Sequence, residues 1–181
     1  MVRSAKLRHD AAAVAVLFSP AMVPVIDIFR ALGDFEDHYD VLALDGLERR
    51  LARTMSREAA KGIVSDALLL AFGLRRERVE AIPYGALHTR RGTLDEYRLV
   101  ALIGAASRND LALAAEAAAA LGAAHPQPLV SLAVDIARRL AAAGVTLEAP
   151  DRRLVAAAHA AASVEVARAP DPRPLKTQVD L

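Results

Sequence analysis

The stretch Thr93-Leu-Asp-Glu-Tyr-Arg-Leu-Val-Ala-Leu-Ile-Gly-Ala-Ala106 decides the fold. Thr93 and Glu96 stand three residues apart ahead of an apolar run. That is the spacing of a capping box, in which each side chain satisfies an orphan amide of the first helical turn. Asp95 and Glu96 also suit the positive end of the helix dipole. After Arg98 no polar side chain appears before Ser107. A helix that is apolar all round is buried all round, so a central helix with neighbours on every side is expected.

Those neighbours can be read on both sides. Downstream, Asp110 can cap an alanine-rich helix that Gly122 stops. Pro126 and Pro128 punctuate a turn, and Pro128 fits the first position of a helix over 128–143 with Leu129, Leu132, Ala133, Ile136 and Leu140 on one stripe. Gly144 ends it, and Asp151 caps a last helix to about residue 167. Upstream, Ser56 can cap a helix that carries Ala60, Ile63, Val64, Ala67, Leu68 and Ala71 at helical spacing and stops at Gly73. A helix over 47–55 precedes it, with Arg49, Arg50 and Arg53 on a solvated side.

The N-terminal part is ambiguous. Residues 14–18 and 39–44 are short apolar runs that read equally as strands or buried helix, and 23–32 reads as a helix with Pro24 in its first turn and Gly33 as its stop. Strand, helix, strand would form one short β-α-β unit. No third strand follows to complete a sheet, so an all-helical start is preferred. The expected fold is mainly α: a helical bundle of about six helices spanning 1–168 as a single domain. A proline-rich tail over 169–181, with Pro170, Pro172 and Pro174, is expected to form a flexible arm or a strap on a partner.

Composition narrows the functional classes. The chain has 181 residues and no cysteine, which excludes disulfides, thiolate metal sites and cysteine nucleophiles and fits a cytoplasmic setting. The net charge of +1 gives no general reason to expect nucleic acid or an anionic surface. Basic residues Arg3, Lys6 and Arg8 ahead of an apolar run outline a secretory signal, but Asp10 interrupts it and no small-residue cleavage site closes it, so a buried N-terminal element is expected. No segment carries 18 uninterrupted apolar residues, so no membrane span is expected. With 54% hydrophobic residues, 4% aromatic and a mean hydropathy of +0.24, much of the apolar content is alanine. Close helix approach, rather than large side chains, must then fill the core. The apolar excess also points to a protein partner or a homo-oligomer.

One connection gathers chemistry. Ile82-Pro-Tyr-Gly-Ala-Leu-His-Thr-Arg-Arg-Gly92 combines Tyr84, His88, Arg90 and Arg91 with two glycines, and it enters the N-terminus of the central helix, where anions are favoured. Arg90 and Arg91 would hold a phosphate or carboxylate, Tyr84 would orient the ligand, and His88 is the candidate acid or base. Asp95 and Glu96 count against this, because they already occupy the dipole's positive end. Asp34-Phe-Glu-Asp-His-Tyr-Asp40 is acidic but lacks the ligand alternation of a calcium loop. Asp27 sits among Val25, Ile26, Ile28 and Phe29 and needs a partner, for which Arg30 is nearest; Asp66 reads as simply exposed. The five histidines form no metal-ligating pair, no phosphate-cradling or nucleophile motif is present, and no metal or cofactor is indicated. Arg78-Val-Glu-Ala81 and Gly92-Thr-Leu-Asp-Glu96 resemble pieces of the helical cobalamin adenosyltransferases, yet they are spaced too far apart and that family's N-terminal nucleotide motif has no counterpart, so no function is carried over.

Three functions follow as expectations. The first is an accessory or assembly protein acting by protein–protein interaction through alanine-rich helical faces. The second is a small enzyme or sensor binding an anionic small molecule at residues 82–92. The third is a helical nucleic-acid-binding regulator, disfavoured because acidic residues interleave with the arginines and aromatic side chains for base stacking are scarce.

Overall fold

A computed structural model describes residues 16–38, 41–78 and 80–155. Among these, two short strands and six complete helices follow in the order β1 (Val16–Leu17), α1 (Val23–His38), α2 (Val41–Leu51), α3 (Arg57–Glu77), β2 (Arg91–Gly92), α4 (Leu94–Ser107), α5 (Leu111–Ala120) and α6 (Pro126–Ala142). A further helical turn begins at Arg152. The protein is a helical bundle.

Helix α4 is its centre. Thr93 and Glu96 form the full capping box, and Glu96 together with every residue from Arg98 to Ala106 is buried. Helices α5 and α6 pack along α4, and α1 touches it near its start. Helices α1, α2 and α3 form the second group, joined to the first chiefly where α3 lies on α6. Alanines make that closeness workable: Ala114, Ala117 and Ala118 of α5 are fully buried, as are Ala60 and Ala67 of α3.

Caps and glycines divide into those that end helices and those that do not. Ser56 and Asp110 accept the expected first-turn amides, from Ala59 and Leu113. Gly122 and Gly144 end α5 and α6 with φ of +91° and +77°, the left-handed region that glycine enters at no steric cost. Gly33 and Gly73 are not stops. Helix α1 continues through Gly33 to His38, and α3 continues through Gly73 to Glu77. Both positions are close approaches instead: a Cβ on Gly33 would stand 2.5 Å from Tyr84 Cδ2, and one on Gly73 would stand 2.8 Å from Leu129 Cδ2.

The strand-like reading of 39–44 is corrected in the same way. From Val41 onward that run is the first turn of α2, which ends at Leu51 rather than near residue 55. Helix α6 starts at Pro126, two residues earlier than expected, with both prolines in its first turn. Of the first apolar run, Val16 and Leu17 are extended, but they do not make a β-α-β unit. They pair antiparallel with Gly92 and Arg91, 74 or more residues further along. The N-terminal apolar run before residue 16, most of the helix expected after Asp151, and the tail over 169–181 lie outside the described residues.

Candidate functional site

The connection between α3 and α4 is fastened to the bundle by one buried cation. Arg30 sits on α1 amid Ile26, Ile28, Phe29 and Leu32, and only 2% of it is exposed. Its Nε donates to Glu96 Oε1 at 2.7 Å, and Nη2 reaches Glu96 Oε2 at 3.3 Å. Nη1 donates to Asp27 Oδ1 at 3.2 Å and to the Thr89 carbonyl at 2.8 Å, and Nη2 donates to the Arg91 carbonyl at 2.9 Å. All five N–H groups of the guanidinium therefore have acceptors. Burial by itself would lower the Arg30 pKa; the hydrogen bond and charge of Glu96, and then those of Asp27, outweigh it and hold the group above the ordinary arginine value.

The two carboxylates are as fully used. Glu96, with no exposed surface, also accepts from the amides of Gly85 at 2.9 Å and Thr93 at 2.7 Å. Asp27 accepts from the His88 amide with both oxygens at 3.1 Å, and His88 Nδ1 lies 3.0 Å from its Oδ2. That grip explains the backbone at His88, whose φ of +62° is left-handed and costly for a side-chain-bearing residue. Gly85 and Gly92 let the chain close on this clasp. A Cβ on Gly92 would collide with the Phe18 ring at Cε2 and stand 2.5 Å from Glu96 Oε2.

A second arginine network lies beside the first. Arg78, at the end of α3, donates Nη2 to Asp95 Oδ2 at 2.8 Å, Nε to the Glu80 carbonyl at 3.1 Å and Nη1 to the Leu121 carbonyl. Asp95 is shared with Arg98, whose Nη1 bonds its other oxygen. Between the two networks lies a recess of about 260 Å³, lined by Arg30, Leu74, Arg75, Arg78, Ile82 and Tyr84 among others.

The four residues expected to carry chemistry are not gathered at one point. Tyr84 is half-buried, lies on Gly33 and lines the recess. The His88 side chain is 70% exposed and faces Asp27. Arg90 donates Nε to the Phe18 carbonyl at 2.8 Å, beside the β1–β2 pair. Arg91 is exposed, and its carbonyl serves Arg30. Asp27 does pair with Arg30, as expected, but as the lesser of that arginine's two carboxylates. Asp66, expected to be merely exposed, is bonded to Arg139 Nε. Tyr39 and Asp40, and the side chains of Asp34, Glu36, Asp37 and His38, lie outside the described residues. Among the described residues no group of three or more histidines and carboxylates could hold a metal ion, and no helix is long and apolar enough to cross a membrane.

Sequence reasoning missed the Arg30–Glu96 pair. The available signal was weak: an arginine inside the apolar run from Val23 to Leu32 must bring its charge to an acceptor, and Asp27, three residues away, already offers one. Fold and site together define a helical bundle whose α3–α4 connection is clasped by a buried Asp–Arg–Glu triad. No family model, no curated protein and no solved structure matches the chain.

Proposed function

We propose that this protein is an accessory or assembly protein that binds a protein partner through the outward face of α3. The observation that carries this reading is the pair Leu69 and Phe72, three residues apart on that face and 53% and 40% exposed. Leu68 is half-buried beside them, and Leu132 of α6 reaches Gly73, one turn beyond Leu69. Full burial of a large apolar side chain contributes about 1.5–3 kcal/mol, so covering the exposed halves of these two supplies about 1 kcal/mol each. That is an anchor for an interface, not a whole one.

Charge selects the partner's chemistry. Lys61 and Arg76 are exposed along α3 on either side of the pair, with Glu58 more distant. A partner segment that is apolar at its centre and acidic at its margins fits this face. A second copy would set cation against cation, so a different protein is favoured over a homo-oligomer. The charges of the 82–92 connection are largely engaged in holding it to the bundle, which ranks the enzyme reading lower. The cysteine-free composition fits a cytoplasmic setting.

The test compares the wild type with Leu69→Asp/Phe72→Asp, with circular dichroism checking that the double variant keeps the helical fold, since both side chains are partly covered. Affinity capture from the cell of origin identifies a partner, and the purified partner is then titrated against both forms. Binding that weakens with salt and fails in the double variant is expected. Equal binding by both forms would refute the reading. So would a concentration-dependent dimer in light scattering that the double variant abolishes, because the face would then serve self-association.

A further inference from the structure

We propose that the cavity between β1, the first half of α4 and the 148–151 segment binds a small alkylammonium, a primary amine on a short apolar body. This goes beyond the association reading and uses a different part of the surface.

Three segments distant in sequence build the cavity. The β1–β2 pair fixes the chain ahead of α1 beside the start of α4: the Phe18 amide donates to the Arg90 carbonyl and Arg90 Nε donates to the Phe18 carbonyl, both at 2.8 Å. On the other side, the chain that follows α6 crosses α4 closely. A Cβ on Gly104 would stand 3.0 Å from the Glu148 carbonyl oxygen, and the Asp151 amide donates to the Tyr97 hydroxyl at 2.7 Å. Buried Leu147 and Val155 hold that crossing at both ends. The space left between the segments is about 110 Å³.

Its walls are apolar. Phe18, Met22, Val100 and Ala101 line it and are all buried. Its charged groups are of one sign. Glu148 and Asp151 line it and are exposed, and no cationic side chain does so among the described residues. Arg152, next in the chain, is spent on Asp110. Asp151 Oδ1 accepts from the Arg153 amide at 2.8 Å, and neither carboxylate forms an ion pair among the described residues.

Tyr97 ties the acidic groups to the wall. Burial foremost, and then the charges of Asp151 and Glu148, hold its hydroxyl above the ordinary tyrosine value, against the lowering effect of the Asp151 amide. Both carboxylates are therefore felt at the cavity. The Tyr97 O–H itself donates to no described residue. Ser19 Oγ is buried in the same wall without a hydrogen-bond partner, an unmet polar atom of the kind that a bound molecule or water completes.

These features select the ligand. Apolar walls favour a hydrocarbon body, and two carboxylates without counter-charge favour a cation and repel an anion. The volume lies well below the ~300–1,000 Å³ of sites for drug-sized ligands, so the body is short.

Titration of the full-length, ¹⁵N-labelled protein with n-butylammonium, n-butanol and n-butyrate, which share one hydrocarbon chain, tests the proposal. Butylammonium is expected to shift the amide resonances of Tyr97, Val100 and Ala101 in the millimolar range. Butanol should bind about tenfold more weakly and butyrate not at all. Glu148→Gln, a change at an exposed position, should weaken butylammonium binding about threefold. Glu148→Gln/Asp151→Asn should weaken it about tenfold, while the asparagine still accepts from the Arg153 amide. The absence of shifts at those three amides at millimolar concentration would overturn the proposal. So would butanol binding as tightly as butylammonium, or a double variant that binds butylammonium as tightly as the wild type. None of these outcomes bears on Leu69 or Phe72, so this inference and the association reading fail separately.

Discussion

Replacing Glu96 by glutamine tests the clasp without changing its shape. The glutamine amide can accept at one end only. Whichever way it turns, its NH₂ faces donors: Arg30 Nε and the Gly85 amide at one oxygen's position, or Arg30 Nη2 and the Thr93 amide at the other's. Arg30 keeps only Asp27 as counter-charge. Removing one partner of a buried ion pair costs about 3–5 kcal/mol, and no solvent screening applies at side-chain exposures of 1% and 0%. Because Asp27 remains, the lower end, about 3 kcal/mol, is expected for Glu96→Gln. Against a typical domain stability of ~5–15 kcal/mol that is a large loss.

The informative variant is the double one, Arg30→Met/Glu96→Met. Exchanging an ordinary buried ion pair for apolar side chains is often neutral or stabilising. Here it should not be. Arg30 also serves the carbonyls of Thr89 and Arg91, and Glu96 serves the amides of Gly85 and Thr93. The Arg91 carbonyl would keep the Thr89 hydroxyl, but the other three backbone groups would lose their partners, each costing about 1–3 kcal/mol if it stays dry. The double variant is therefore expected to remain at least about 3 kcal/mol less stable than the wild type even after some of those groups reach water. Urea denaturation followed by helical circular dichroism, on both single variants and the double, gives the full cycle. A double variant as stable as the wild type would refute the argument, since the connection would then be held without the clasp.

Two further outcomes follow from particular contacts. Gly46 lies inside α2, and a Cβ placed there would meet nothing within 4 Å, so Gly46→Ala should stabilise by about 1 kcal/mol; Gly33→Ala adds the same helical preference but drives a methyl into Tyr84 and should destabilise by about 1–3 kcal/mol, a difference in sign that thermal denaturation reads directly. Glu77 accepts from the amides of His125 and Ala124 at the start of α6, and these bonds, the His125 one foremost, hold its carboxyl below the ordinary 4.5. A depressed carboxylate stabilises the fold above the unfolded-state value, and that contribution is lost as pH falls from about 4.5 through the folded-state value. Glu77→Gln should thus be less stable than the wild type near neutrality and converge on it in acid, and a constant gap across a pH series of denaturation curves would contradict this.

The parts of the fold legible in the sequence are those governed by local chemistry. Thr93 and Glu96 marked the start of α4, Ser56 and Asp110 marked two more helix starts, and the unbroken apolar run marked the burial of α4. Gly122 and Gly144 marked true ends because nothing after them continues a helix. Gly33 and Gly73 looked alike in sequence, but their role depends on Tyr84 and Leu129, which come from distant segments. The run from Val41 was ambiguous because a short apolar stretch has no period to separate strand from helix. For the site, the 82–92 connection was recognised as unusual from its residue types. Its use of Arg30 was not, because Arg30 and Glu96 are 66 residues apart and each already had a sufficient local explanation, as the partner of Asp27 and as half of a capping box.

The Arg30 guanidinium also works as a gauge of register. Its acceptors come from α1, from two carbonyls of the connection and from α4, and they fit one planar fork. Sliding α1 by one residue turns Arg30 about 100° round the helix axis, away from all of them. The same shift in a purely apolar interface would exchange one leucine contact for another at little cost. The buried alanines that α3 and α4 contribute to the core present small faces that look much the same from turn to turn, and they reject such near-misses poorly. One buried cation that is satisfied in a single alignment of three segments supplies that discrimination.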